Sequence, residues 1–237
     1  MPDTLFYFDA LFFAVLPYVA FFTFFLVTIQ RYWQRTFSYS SLSSQFLENK
    51  RHFWSLVPFH YGILVVLGGH IVAFLFPSEL LLFNSRPLRL YILEVSALIF
   101  GLMTLIGLVA SLARRATESK IRVVTGLSDW ILYGLLLLQV ASGIYVALFH
   151  PWGSSWFAAS VSPYLWSLLK MNPDIASMAA MPLAVKLHVI NAYLLIGFFP
   201  FTRLVHVLVM PNPYLWRKPQ VVRWYRRPDA VKGKAAL

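Results

Sequence analysis

The 237-residue chain contains no cysteine. It cannot itself hold an iron–sulfur cluster, a thiolate zinc site, a disulfide or a covalently attached c-type haem, so any further redox centre must lie on another polypeptide. Charge is also scarce, at 12% of residues with only nine acids, against 59% hydrophobic and 17% aromatic. That balance excludes a soluble domain of ordinary composition and points to a polytopic membrane protein. The net charge of +11 would raise the question of nucleic acid in a soluble protein. Here the basic residues sit in short blocks between apolar runs, where they set topology and face anionic lipid or a partner, and no nucleic acid is expected. There is no internal repeat and no stretch long enough to fold as a separate soluble domain, so residues 1–237 read as one membrane domain. Asp3 and Asp9 stand where a signal peptide would carry basic residues, and the first apolar run is expected to be a retained helix.

Five apolar runs are long enough to span a bilayer: about 5–29, 53–76, 88–113, 127–149 and 183–210, followed by a basic tail over 211–237. Pro17 is expected to kink the first, and Ser128 and Asp129 to cap the fourth. The connection Gly153 to Met181 reads as one or two short helices lying on the surface. With the amino terminus outside, 16 Lys and Arg fall on the cytoplasmic side and 4 (Arg86, Arg89, Lys170 and Lys186) on the outer side. The positive-inside rule therefore places the amino terminus outside and the carboxyl terminus inside. An odd number of spans also argues against an inverted-repeat transporter.

Histidines recur near both ends of two of these runs. His188 and His206 are 18 residues apart, which in one continuous α-helix is five turns, or about 27 Å along a single face. His60 and His70 lie in the second run. At ~1.5 Å per residue, His70 matches His188 in depth near the outer surface, and His60 matches His206 near the inner one. Two facing pairs of neutral imidazoles, with no carboxylate at those depths, suit bis-histidine haem b, whose iron takes one axial nitrogen from each side. Gly62, Gly68 and Gly69 beside the ligands would let a ring approach the backbone. Arg203, three residues before His206, is placed for a propionate of the inner haem, and Lys186 for one of the outer haem. His60 and His70 are ten residues apart, roughly 80° off a common face, so either the two haems sit at different angles around that helix or Gly68 and Gly69 distort it. His52 and His150 read as interface residues. Glu94, an acid within the third run, admits either a proton path or a hydrogen-bonded structural role.

Phe59-His60-Tyr61-Gly62-Ile63-Leu64 through Gly69-His70, Lys186-Leu187-His188 and Phe199-Pro200-Phe201-Thr202-Arg203-Leu204-Val205-His206 resemble the gamma subunit of membrane-bound respiratory nitrate reductase. The likeness runs over nearly the whole chain, including Ser43-Ser44-Gln45 and Tyr214-Leu215-Trp216-Arg217-Lys218. It implies an all-α, five-helix bundle enclosing two haem b groups in the cytoplasmic (inner) membrane. The iron of the outer haem would be held by His70 and His188, and that of the inner haem by His60 and His206. Such a subunit oxidises membrane quinol near the outer haem and passes electrons inward. The receivers would be an iron–sulfur subunit and a molybdenum-containing catalytic subunit on the cytoplasmic face, which alone carry those cofactors and reduce nitrate. For the quinol site it points to Gly69, His70, Arg86 and Arg89, none of them a firm catalytic residue. Two other readings stay open on the residues alone: the same dihaem scaffold serving a sulfite- or heterodisulfide-reductase-type partner, and a haem-free transporter or anchor.

Overall fold

A computed structural model describes residues 7–35, 38–39 and 52–209. The carboxyl-terminal tail and most of the first polar loop, including Lys50, Arg51 and Ser43-Ser44-Gln45, lie outside the described residues. Among the described residues five helices are long and apolar enough to cross a membrane: Tyr7–Gln34, Phe53–Leu75, Pro87–Thr117, Leu127–Phe149 and Leu183–Phe201. The chain is therefore an all-helical, multi-pass membrane protein. In chain order the helices are α1 (Tyr7–Gln34), α2 (His52–Leu75), α3 (Pro77–Asn84), α4 (Pro87–Thr117), α5 (Ser119–Val123) and α6 (Leu127–Phe149). They continue with α7 (Gly153–Trp156), α8 (Ser162–Leu169), α9 (Ala176–Ala179) and α10 (Leu183–Phe198).

The spans pack in the spatial order α2, α4, α6, α10, α1, and among the described residues no packed seam joins α2 to α10. The seam of α2 on α4 is made by two glycines. A Cβ on Gly62 would collide with Thr104 and come within 2.6 Å of the Phe100 carbonyl, while one on Gly107 would collide with the Phe59 amide. Small residues that let backbones meet are the usual basis of helix association in lipid, where burial of apolar surface provides no drive. Gly62 thus serves helix packing, whereas the sequence suggested that it made room for a ring beside His60.

The connection between α6 and α10 is tied closely to the spans. It forms short helices that bury one face against the spans while Trp166 and Leu169 stay exposed. Val161, Tyr164, Leu168 and Met178 are buried in one cluster with Phe13 and Ala20 of α1 and Tyr193 of α10. The reason lies in the prolines of the spans. A proline cannot donate to the carbonyl four residues before it, and in lipid that carbonyl needs another donor. Pro17 leaves the carbonyl of Phe13, which accepts the Tyr164 hydroxyl at 2.8 Å. Pro77 leaves that of Ala73, which accepts the Ser162 hydroxyl at 2.9 Å, and the next carbonyl, of Phe74, accepts the Trp166 indole at 3.0 Å. A π-helical turn over Leu11–Val15 precedes Pro17 and absorbs its distortion.

Glu94 also finds its explanation in this connection. It accepts the backbone N–H of Ser154 at 2.8 Å and the Ser154 hydroxyl at 2.6 Å, while Asn84 donates to Ser154 and Ser155. It is a hydrogen-bonded structural acid that pins α7 to α4.

The fifth span departs most from the sequence reading. It is α-helical only to Phe198, then tightens into 3₁₀ turns over Phe199–Phe201 and Arg203–Leu208, with Thr202 extended between them. Pro200 forces the break and Thr202 caps the new start, accepting the Leu204 N–H at 3.0 Å. The five continuous turns expected between His188 and His206 are therefore not present.

Candidate functional site

Four histidines, two on α2 and two on the fifth span, are the residues to be accounted for. Alternation of the spans puts His70 and His188 toward the end that carries the 153–181 connection, and His60 and His206 toward the opposite end, where Arg31, Arg114, Arg115 and Arg122 gather. Each imidazole is fixed through one nitrogen. His60 Nδ1 donates to the Leu56 carbonyl and His70 Nδ1 to the Val66 carbonyl, both at 2.8 Å and both one helical turn back. His206 Nδ1 donates to the Arg203 carbonyl at 2.6 Å, the three-residue step that a 3₁₀ turn provides. A carbonyl can only accept, so these contacts select the Nδ1–H tautomer and leave the Nε2 lone pair outward. Among the described residues no hydrogen-bond partner meets Nε2 of these three.

His188 reaches the same tautomer by another route. Ser142 donates its hydroxyl hydrogen to the Gln139 carbonyl at 3.1 Å, so its oxygen accepts from His188 Nδ1 at 2.9 Å. The side-chain amide of Gln139 lies 3.1 Å from His188 Nε2. Gly143 lets the ring seat against α6, since a Cβ there would come within 2.9 Å of His188 Cε1. His70 stands edge-on to Phe157, ring centres 5.4 Å apart.

Chemically, imidazoles anchored through Nδ1, with Nε2 left as the available donor, would suit the axial positions of a flat metal macrocycle. Among the described residues no group of three or more His, Asp or Glu gathers as a metal cage, so pairing of imidazoles is the coordination on offer. The absence of a seam between α2 and α10 leaves the histidine-bearing helices separated, and a Cβ on Gly68 or Gly69 would meet nothing within 4 Å. A haem b fits this donor set.

The cations expected near the haems each have a carboxylate partner. Arg203 directs Nε and Nη2 at the two carboxylate oxygens of Asp129, at 2.6 and 2.7 Å, and also reaches the Val124 carbonyl. Asp129 in turn accepts the Gly126 N–H at 3.0 Å, capping α6 as its position suggested. Lys186 pairs with Asp9 at 2.8 Å, joining the starts of α10 and α1. Both side chains hold the scaffold near a histidine, Arg203 near His206 and Lys186 near His188. Arg31, to which the sequence assigned only topology, donates to the carbonyls of Pro200 and Thr202 and grips Ser38, bracing the break that precedes His206. Of the quinol-site candidates, Gly69 and His70 adjoin on α2. Arg86 and Arg89 are exposed at the start of α4, with the Arg89 guanidinium over the Phe83 ring at 5.6 Å.

Gln139, Ser142 and Asn191 do not stand out in the sequence as intramembrane signals, because they carry no ionisable group. Three uncharged polar side chains on two otherwise apolar helices were the available clue.

Comparison with known proteins shows what the chain is similar to. The profile of the nitrate reductase gamma subunit family matches residues 9–225. The nitrate reductase gamma chain of Bacillus subtilis (strain 168) is 30% identical over 212 residues, covering 88% of this chain and 95% of that one. The respiratory nitrate reductase 2 gamma chain of Escherichia coli (strain K12) is 30% identical over 227 residues, 92% and 97% of the two chains. A shorter likeness, 28% over 127 residues, covers 53% of this chain and 42% of one subunit of the dihydromethanophenazine:CoB–CoM heterodisulfide reductase of Methanosarcina barkeri (strain Fusaro / DSM 804).

Proposed function

The chain belongs to the nitrate reductase gamma subunit family, and from that premise we propose that it is the dihaem cytochrome b of its complex, drawing electrons from membrane quinol. Family membership makes it the membrane subunit of a respiratory nitrate reductase, an oxidoreductase assembled with other nitrate reductase subunits. Our reading assigns His70 and His188 to an outer haem and His60 and His206 to an inner one. The amino terminus is outside the cytoplasmic membrane, and iron–sulfur and molybdenum-containing subunits dock on the cytoplasmic face.

The observation that carries the proposal is the shared tautomer. All four imidazoles give Nδ1–H to an oxygen and turn Nε2 away from it, on helices that do not pack together. Fixing the second ring nitrogen in this way sets the orientation and basicity of a metal-bound histidine. Bound at these positions, two b haems supply one-electron carriers at two depths. His70 and the open backbone at Gly68 and Gly69 offer a quinol head group its approach at the outer level, with Arg86 and Arg89 on the adjoining turn. Protons released there leave to the outer side, while electrons cross toward the basic end.

Single replacements test the assignment. His70→Ala or His188→Ala should each remove the same one haem from the complex, and His60→Ala or His206→Ala the other, read in reduced-minus-oxidised spectra. Loss through His188→Ala of the haem that His206 holds would break the pairing. The heterodisulfide-type partner is the lesser reading, because that likeness stops at about half the chain whereas the gamma-chain matches run nearly end to end.

A further inference from the structure

His60, His70 and His206 are each anchored on a carbonyl of their own segment, which no side-chain substitution can remove. His188 alone depends on side chains, and on those of a different helix. Ser142 accepts its Nδ1–H, as described above. Behind the ring a second relay fixes Gln139. The Leu135 carbonyl accepts from Asn191 Nδ2 at 3.0 Å, which decides which end of that amide is the donor. The same Nδ2 donates to Gln139 Oε1 at 2.7 Å, which turns the Gln139 amide nitrogen toward His188 Nε2. Asn191 is buried, and its own Oδ1 has no partner among the described residues.

We infer that Ser142, Gln139 and Asn191 form a positioning set for His188. Ser142 sets the ring's tautomer and donor strength, and Gln139 covers Nε2 until that nitrogen is taken as a ligand. The inference rests on the proposal that His188 ligates a haem. Ligation requires the Nε2 lone pair, so the Gln139 amide must leave it. An N–H group displaced into an apolar bundle needs another acceptor, and the unpartnered Asn191 Oδ1, on a side chain already touching Gln139, is that acceptor. A buried oxygen without a donor in one position of Gln139 thereby becomes satisfied in the other. Ser142 keeps its role in both. Its acceptance of Nδ1–H pushes electron density onto the ring, which favours the oxidised iron and lowers the potential of the outer haem alone.

The test is a potentiometric titration of the purified haem-loaded complex, following each haem by its spectrum and low-spin electron paramagnetic resonance signal. Ser142→Ala should raise the midpoint of the His70–His188 haem and alter its signal, leave the His60–His206 haem where it was, and be reversed by Ser142→Thr, which restores a hydroxyl. Asn191→Leu in the full chain produced under haem limitation, which removes the acceptor that the displaced Gln139 amide needs, should fill the outer site with haemin about 5-fold less readily, the worth of one hydrogen bond left unmade. Two haems with unmoved or equally moved midpoints in Ser142→Ala would overturn the inference and leave the haem assignment standing. A wild-type complex without a haem at His188 would overturn both.

Discussion

Arg203 and Asp129 make the most specific claim about the inner level. The pair is bidentate at 2.6 and 2.7 Å, with side chains 15% and 7% exposed, so it is shielded from water on both sides. Replacing Arg203 by Gln leaves Asp129, among the described residues, with the Gly126 N–H as its remaining side-chain partner. Removing one member of a buried pair costs ~3–5 kcal/mol, and the residual exposure of Arg203 puts this case at the low end, near ~3 kcal/mol. His206 hangs from the Arg203 carbonyl on a 3₁₀ turn beyond the Pro200 break, so that cost falls on the segment presenting the ligand. At ~1.4 kcal/mol per factor of ten, Arg203→Gln should weaken retention of the inner haem by about 100-fold. Haem content of the complex during detergent dilution is the assay, read separately at the two haems. The outer haem should be kept. Asp129→Asn should act in the same direction and less strongly, since an amide still accepts one bond. If Asp129→Asn behaved as wild type while Arg203→Gln released the inner haem, the guanidinium would be acting on the haem propionate and its positioning role would be refuted.

Other consequences are testable in the same preparation. Gly62→Leu or Gly107→Leu should separate α2 from α4, because the added side chain meets backbone that cannot yield; overpacking of this kind costs ~1–3 kcal/mol or more, and thermal unfolding should show a lower midpoint. Tyr164→Phe removes the donor to Phe13 and the acceptor for Tyr193, a loss of ~1–3 kcal/mol seen as earlier unfolding. Burial also raises the Tyr164 hydroxyl well above its ordinary value of 10.0, with Tyr193 beside it adding to the shift. Its contribution to stability is full below pH 10 and is lost as the pH climbs toward the raised value, so the wild type should lose stability above pH 10 faster than Tyr164→Phe. Glu94→Gln should loosen the 153–181 connection, detected as faster proteolysis at Gly153 to Trp156, without changing the haem ratio.

The spans were legible because they rest on local sequence: runs of apolar residues set helix length, and the four imidazoles stand out within them. What escaped depended on contacts between distant segments. Ser162 and Tyr164 look like ordinary loop residues until Pro77 and Pro17, 85 and 147 positions away, leave carbonyls that need donors. Gly62 reads as a companion of His60 because it is two residues away, yet its packing partner is Thr104. The carboxylate partners of Arg203 and Lys186, Asp129 and Asp9, lie on other spans and could not be paired with them from sequence. The break at Pro200 was visible in principle, since proline interrupts a helix wherever its missing N–H is not absorbed.

The central claim is that this chain carries two haems between four histidines, and the haem-to-protein ratio by pyridine haemochrome measures it most directly. Two b-type haems per chain are predicted, falling to one in His70→Ala and to one in His206→Ala. A ratio of one in the wild type would dissolve a histidine pair, and a folded complex without haem would contradict the account entirely.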